Sequence, residues 1–129
     1  MKKILLDTNA YSNLLRGDEK VFNVILDAEK IYLSVIVIAE LLTGFRGGNQ
    51  FHKNKSLLDE FKLKETVECL GVTSETAEIF SELKVYLHKK GTPIPINDIW
   101  IAAHTVETGS VLITYDAHFK NLDGMRLWY

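Results

Sequence analysis

Lys3 to Leu6 is apolar without alternation, the mark of a strand covered on both faces, and a helical pattern follows it at once. Further strands are predicted at Ile31 to Leu33, Thr66 to Leu70, Val111 to Thr114 and Met125 to Trp128. Between them the spacing predicts helices. One runs from about Thr8 to Arg16 and stops at Gly17. The next spans about Asp18 to Ala28, with Val21, Val24, Ile25 and Ala28 on one face. A third is capped by Ser34, reaches about Phe45 and ends at the Gly47-Gly48 pair. Residues 50 to 65 are a charged amphipathic helix with Leu57, Leu58, Phe61 and Leu63 as its apolar positions. Thr73 to Lys90 is a long helix capped by Thr73 or Ser74, and the last one opens at Asn97 or Asp98 and ends at Gly109. A helical turn is expected at Ala117 to Asn121. Strands alternating with helices in this way imply an α/β sandwich with a mainly parallel central sheet. At 129 residues the chain is expected to be one domain, 1–129, burying roughly two-thirds of its unfolded surface.

Four carboxylates interrupt this pattern where it is most apolar. Asp7 ends ILLD, Glu40 stands inside VIVIAELLTG, Asp98 opens the NDIWIAA segment and Asp116 follows VLITY. Burying an ionised carboxylate costs several kcal/mol, and clustering four adds like-charge repulsion. A divalent cation held by oxygen ligands resolves both penalties. In parallel sheets functional groups gather beyond the carboxyl ends of the strands, and Asp7 and Asp116 each follow a predicted strand. Each carboxylate also has an ordinary alternative. Asp7 and Asp98 suit helix N-caps, and Asp116 suits an Asx turn. Glu40 has no basic residue within a turn and a helix apolar nearly all round, so a structural role is hardest to find for it.

The donor types point to Mg²⁺ or Mn²⁺, because no Cys/His set at zinc spacing is present. His104 and His118 are lone imidazoles, expected to be structural. Thr8 and Asn9 after Asp7, and Thr114 before Asp116, are placed to orient a carboxylate or a water, although either threonine can equally satisfy local backbone. Asn97 suits a helix cap.

Composition narrows the class without choosing the function. The net charge of −2 does not advertise nucleic-acid binding, although Arg46, Lys53 and Lys55, then Lys62 and Lys64, then Lys84, Lys89 and Lys90 gather locally. No apolar stretch approaches the ~18–20 residues that span a bilayer, so no membrane partner is expected. The two lysines and short apolar run at the N-terminus are stopped by Asp7 too early for a signal peptide. The single cysteine, Cys69, excludes an internal disulfide, fits a reducing cytoplasm and is expected to be a small buried core residue.

Taken together, LLDTNAYSNLL, SVIVIAELLTG, NDIWIAAHTVETG and LITYDAHFKNL resemble the motifs of the PIN-domain nucleases, specifically the VapC-type toxins of toxin–antitoxin pairs. They span the chain in the family's order. The resemblance implies a three-layer α/β/α sandwich and a Mg²⁺- or Mn²⁺-dependent endoribonuclease. Asp7, Asp98 and Asp116 would ligate metal, Glu40 would act directly or through a water, and Thr8 would assist. Asp116 corresponds to the most variable acidic position. Asn97 recurs in the family pattern, so the resemblance implies for it a site role of equal weight to the cap. RNA would be hydrolysed in line by metal-activated water, leaving a 5′-phosphate and a 3′-hydroxyl. The implied partners are RNA, a cognate VapB-type antitoxin occupying the active-site groove and a second toxin copy in a homodimer within the larger complex. The Arg46 to Lys55 stretch and Lys89/Lys90 are candidate RNA-backbone contacts.

Two other classes stand beside this one. A Mg²⁺-dependent phosphotransfer or phosphatase domain would also place Asp7 after a parallel strand. However, phosphatases need a second Asp where this chain has Asn9, and receivers need an acidic pair after the first strand. A catalytically inactive PIN-like binding module is the other, and four intact carboxylates argue against it. No G-x-G-x-x-G follows the first strand, which weakens a dinucleotide-binding reading.

Overall fold

The computed structural model describes residues 2–128. Five parallel strands, β1 (Lys3–Leu6), β2 (Lys30–Ser34), β3 (Val67–Leu70), β4 (Val111–Ile113) and β5 (Arg126–Leu127), form one sheet in the order β3-β2-β1-β4-β5. The connections carry α1 (Thr8–Leu15), α2 (Glu19–Asp27), α3 (Val35–Arg46), α4 (Phe51–Lys62), α5 (Ser74–Lys90) and α6 (Ile96–Thr108), with a 3₁₀ turn at Ala117–Asn121. From β1 the chain winds outward through β2 to β3, then crosses back to β4 and on to β5. Right-handed crossovers put the helices of the two winding directions on opposite faces, which gives the three-layer α/β/α sandwich. The reversal lies between β1 and β4, and at such a switch point the strand ends part to leave a crevice.

The core is built as a doubly covered parallel sheet requires. Ile4, Leu5, Leu6, Leu33, Leu112 and Ile113 are fully buried. In register, Leu6 stands beside Ile113, and the Asp7 amide extends that ladder by donating to the Ile113 carbonyl at 3.2 Å. Behind the sheet Tyr11 packs edge-on against Phe61, with ring centres 5.4 Å apart.

The caps follow the sequence closely. Ser34 accepts from the Ile36 amide at the start of α3, and Thr73 with Thr76 forms a capping box on α5. Gly109, at φ 67°, ends α6 in the left-handed region that other residues enter at a cost.

Several expectations need correction. Cys69 is exposed, because β3 is an edge strand with little packed over that position. Neither Asn97 nor Asp98 opens α6. The helix begins at Ile96 with Pro95 at the cap position and no side-chain cap bond, so both residues sit in its first turn. The helix over residues 50 to 65 is shorter, Phe51–Lys62, and leaves Leu63 84% exposed beyond its end. Among the described residues no helix is long and apolar enough to cross a membrane.

Candidate metal centre

Asp7 caps α1: its Oδ1 accepts the Ala10 amide proton at 2.9 Å. Its other oxygen accepts the Thr114 hydroxyl proton. The β1–β4 register explains this pairing. With Leu6 beside Ile113, the next residue of each chain, Asp7 and Thr114, emerges at the same point of the sheet edge. Asp7 is 4% exposed. The loop beyond β4 is tied down by the same two segments. The Tyr115 amide donates to Asn9 Oδ1 at 3.2 Å, and the Asp116 amide donates to Thr114 Oγ1 at 2.9 Å. Asp116 then forms an Asx turn by accepting from the His118 amide at 2.9 Å.

Asp98 enters from the first turn of α6, where its carboxylate faces the positive end of the helix dipole. His118 stands between the two acidic groups. Its Nδ1 lies 3.1 Å from Asp98 Oδ2 and 3.2 Å from Asp116 Oδ1. One donor atom from each of Asp98, Asp116 and His118 falls within 4.8 Å of the others. Glu40 reaches in from the middle of α3. One of its oxygens accepts from the Thr8 hydroxyl at 2.5 Å and the other from the Asn97 amide group at 3.2 Å. On its own helix the one polar residue within a turn is Thr43, whose hydroxyl donates to the Ala39 carbonyl, whereas α1 and α6 supply partners.

These groups open into a cleft of about 310 Å³ lined by Asp7, Thr8, Asn9, Ser12, Arg16, Glu40, Asp98, Ile101 and Asp116. A second groove of about 450 Å³ shares Thr8, Ser12, Arg16 and Glu40 and runs on over Leu15, Leu41, Gly44, Phe45 and Asn54.

Negative charge at the cleft is incompletely compensated. Burial pushes the Asp7 carboxyl up to about 6 against the lowering effect of the Thr114 and Ala10 hydrogen bonds, and the Asp116 and Asp98 charges add to the rise. Burial also raises Asp98, opposed by the His118 hydrogen bond and reinforced by Asp116 and Glu40. His118 in turn is held above the usual imidazole range, first by its bond to Asp98 and then by the Asp116 charge. Acidic oxygens that gather despite such penalties suit a hard divalent cation.

All eight residues singled out in the sequence therefore come together at one edge of the sheet. Asp7, Asp98, Asp116 and Glu40 line the cleft, with Thr8 and Asn9 beside them. Thr114 holds Asp7, and Asn97 holds Glu40. The ordinary and the site roles coexist in Asp7, which caps a helix, and in Asp116, which makes a turn. Three site residues were not anticipated. Ser12 and Arg16 follow Thr8 at intervals of four, a spacing that puts Thr8 and Ser12 on one face of α1 and Arg16, its C-cap, just beyond them. His118 was expected to be structural and instead joins Asp98 and Asp116; its position two residues after Asp116 is the only local signal. His104 is structural, buried with Nδ1 2.9 Å from Ser34 Oγ and Nε2 2.9 Å from the Gly71 carbonyl. Of the candidate RNA contacts, Lys55 pairs with Asp59 at 2.9 Å, Lys90 donates to the Asn121 carbonyl at 2.9 Å, and Arg46 lies over the Phe51 ring.

Residues 4–125 match the sequence profile of the PIN domain. Ribonuclease VapC2 of Rickettsia felis is 30% identical over 128 residues, 95% of this chain and 94% of the relative. Among solved structures, VapBC2 from Rickettsia felis bound to a DNA fragment from its promoter superimposes with a TM-score of 0.84 at 26% identity, covering 97% of this chain and 96% of that one. DNA-bound VapBC from Salmonella typhimurium gives 0.85 at 25% identity, over 98% and 97%. A profile match along nearly the whole described chain, a relative alike from end to end, and a cleft built from the four acidic segments at the sheet's switch point lead to one conclusion: the chain belongs to the PIN domain family.

Proposed function

We propose that the protein is a divalent-metal-dependent endoribonuclease and the toxin of a toxin–antitoxin pair, its residues 1–129 forming one PIN domain. The observation that carries this reading is the convergence of Asp7, Glu40, Asp98 and Asp116 on one cleft, with the His118 imidazole between Asp98 and Asp116. The names of the relatives support the activity and the partner. VapC2 of Rickettsia felis is named a ribonuclease, and the solved relatives are VapBC complexes.

The donor set fits Mg²⁺ or Mn²⁺: Asp7, Asp98 and Asp116 would hold the ion, and Glu40 would serve at its margin. When bound, the cation supplies the charge that lowers the pKa of a water and stabilises phosphate oxygens during in-line hydrolysis. The chain's own groups do the rest. Thr114 fixes the orientation of the Asp7 carboxylate through its hydroxyl. Thr8 and Asn97 fix that of Glu40 in the same way, leaving it aimed at the cleft as a proton acceptor. Arg16, on the cleft wall, offers a fork of donors to an RNA phosphate, a role that net charge alone would not reveal. Cleavage leaves a 5′-phosphate and a 3′-hydroxyl.

The groove that continues from the cleft has mixed walls, with Leu15, Leu41 and Phe45 among polar groups and Glu40 beside Arg16 where it meets the cleft. That combination suits a VapB-type antitoxin segment carrying apolar anchors and a basic side chain. The reading places the toxin in the cytoplasm as a homodimer within the larger complex.

Purified protein is expected to cleave single-stranded RNA with Mg²⁺ or Mn²⁺ and to stop when the metal is chelated. Asp98→Asn should lower the rate by roughly a hundred- to a thousandfold, since metal-held charge is worth several kcal/mol in the transition state. Full cleavage by Asp98→Asn, with an unchanged circular dichroism spectrum, would refute the assignment.

A further inference from the structure

Tyr115, which stands between Thr114 and Asp116, lines a pocket that the chemistry above does not use. It is an open pocket of about 620 Å³, lined, among the described residues, by Lys20, Asn23 and Val24 of α2 and by Tyr115 and Trp128. That volume is in the range that holds a small organic molecule. We propose that it is a nucleobase subsite, in which the base of a nucleotide flanking the scissile phosphate stacks on Tyr115 and Trp128. The proposal rests on the nuclease reading and adds to it the recognition of one base.

Position is the first support. Tyr115 is the residue between Thr114, which holds Asp7, and Asp116 itself. Its amide donates to Asn9 Oδ1 at 3.2 Å, and its hydroxyl donates to Asp18 Oδ2 at 2.6 Å, so the ring is fixed at both ends. The indole N–H of Trp128 donates to the Thr114 carbonyl at 2.6 Å, and its amide to the Leu112 carbonyl at 3.2 Å. Both rings are therefore built onto the same strand end that carries the acidic site. A base seated there lies against Tyr115, the residue next to Asp116 in the chain.

Ring geometry and charge are the second. The two rings meet edge to face, 5.3 Å between centres and 74° between planes. Such a pair makes a corner, against which a third flat ring can lie, and every base has a π-face to offer. Lys20 supplies an ammonium for a neighbouring phosphate, and the Asn23 amide can donate to or accept from a base edge. With a net charge of −2, the protein draws little affinity for RNA from charge at large, so stacking is the available source.

The test uses single-stranded RNAs that carry one abasic nucleotide at successive positions around the cleavage site. The wild-type chain should show one position, next to the scissile phosphate, where loss of the base lowers kcat/KM by about tenfold, chiefly through KM. Tyr115→Ala and Trp128→Ala should lose that sensitivity, and Tyr115→Phe, which keeps the ring, should retain it. A second measurement needs no turnover. Trp100→Phe leaves Trp128 as the only indole, and in that background with Asp98→Asn, intact RNA should quench the emission while RNA abasic at the same position should not. A flat abasic profile in a chain that cleaves, a profile unchanged by Trp128→Ala, or RNA that binds without quenching overturns the subsite. Quenching that follows protein concentration instead of RNA would identify a second copy as the occupant and overturn it too. A wild-type chain that cleaves no RNA with either metal overturns the nuclease reading, and the quenching measurement then judges the subsite by itself.

Discussion

Two buried polar clusters, each beside an end of the same sheet's central strands, are resolved in opposite ways. Around His104 every polar atom has a neutral partner. Its Nε2 faces the Gly71 carbonyl at 2.9 Å, and Ser34 Oγ both meets Nδ1 and accepts the Ile36 amide proton. Around Asp7 the carboxylate has a full set of hydrogen bonds and still carries a charge that nothing buried beside it neutralises. The first cluster is complete as it stands and serves the fold. The second is held together by the fold at a cost, which is what separates a site from a core.

Substitutions that remove a polar group should therefore act with opposite sign in the two places. His104→Ala leaves the Gly71 carbonyl and Ser34 without their partner and opens a cavity. It should cost about 3 kcal/mol in a denaturant titration. A loss under about 1 kcal/mol would show that the cluster relaxes or is hydrated, and would erase the contrast. Asp7→Asn keeps the shape and removes the charge. Without divalent cation at pH 7 it should stabilise the protein by about 2 kcal/mol, and added Mg²⁺ or Mn²⁺ should raise the melting temperature of the wild type but not of the variant. Destabilisation by Asp7→Asn in the absence of metal would mean that its hydrogen bonds outweigh its burial.

The smallest effect is the one on pH. The folded-state pKa of Asp7, about 6, lies above its ordinary value of 3.8, so the folded state binds the proton more tightly. Stability from this group is complete below the lower value and is lost as pH rises through about 6. Asp98 and His118 are raised as well, and their contributions have the same sign. Metal-free protein should thus gain about 1 kcal/mol between pH 7 and pH 5, with a shallower slope in Asp7→Asn. Equal slopes in the two proteins would assign the titration elsewhere.

Much of this molecule was legible before folding because it depends on local periodicity and local chemistry. The non-alternating run Ile4 to Leu6 announced a buried parallel strand, Ser34 and Thr73 announced helix starts, and Gly109 announced a helix end. The acidic residues stood out for the same reason, since a carboxylate inside an apolar run is an anomaly on a local scale. What sequence could not supply was company across space. Glu40 has no basic neighbour on its own helix, where Thr43 bonds the Ala39 carbonyl instead, and only the meeting of α1, α3 and α6 brings it Thr8 and Asn97. His118 looked like a lone imidazole until the loop after β4 set it between Asp98 and Asp116. Cys69 reads as core by its neighbours and lies exposed because its strand ended up at the sheet's edge. The sequence by itself determined which segments become strands and helices and which residues are chemically out of place. The tertiary structure alone decided that the sheet reverses between β1 and β4, because strand order depends on long-range packing that no local pattern encodes, and that reversal is what turns four scattered carboxylates into one cleft.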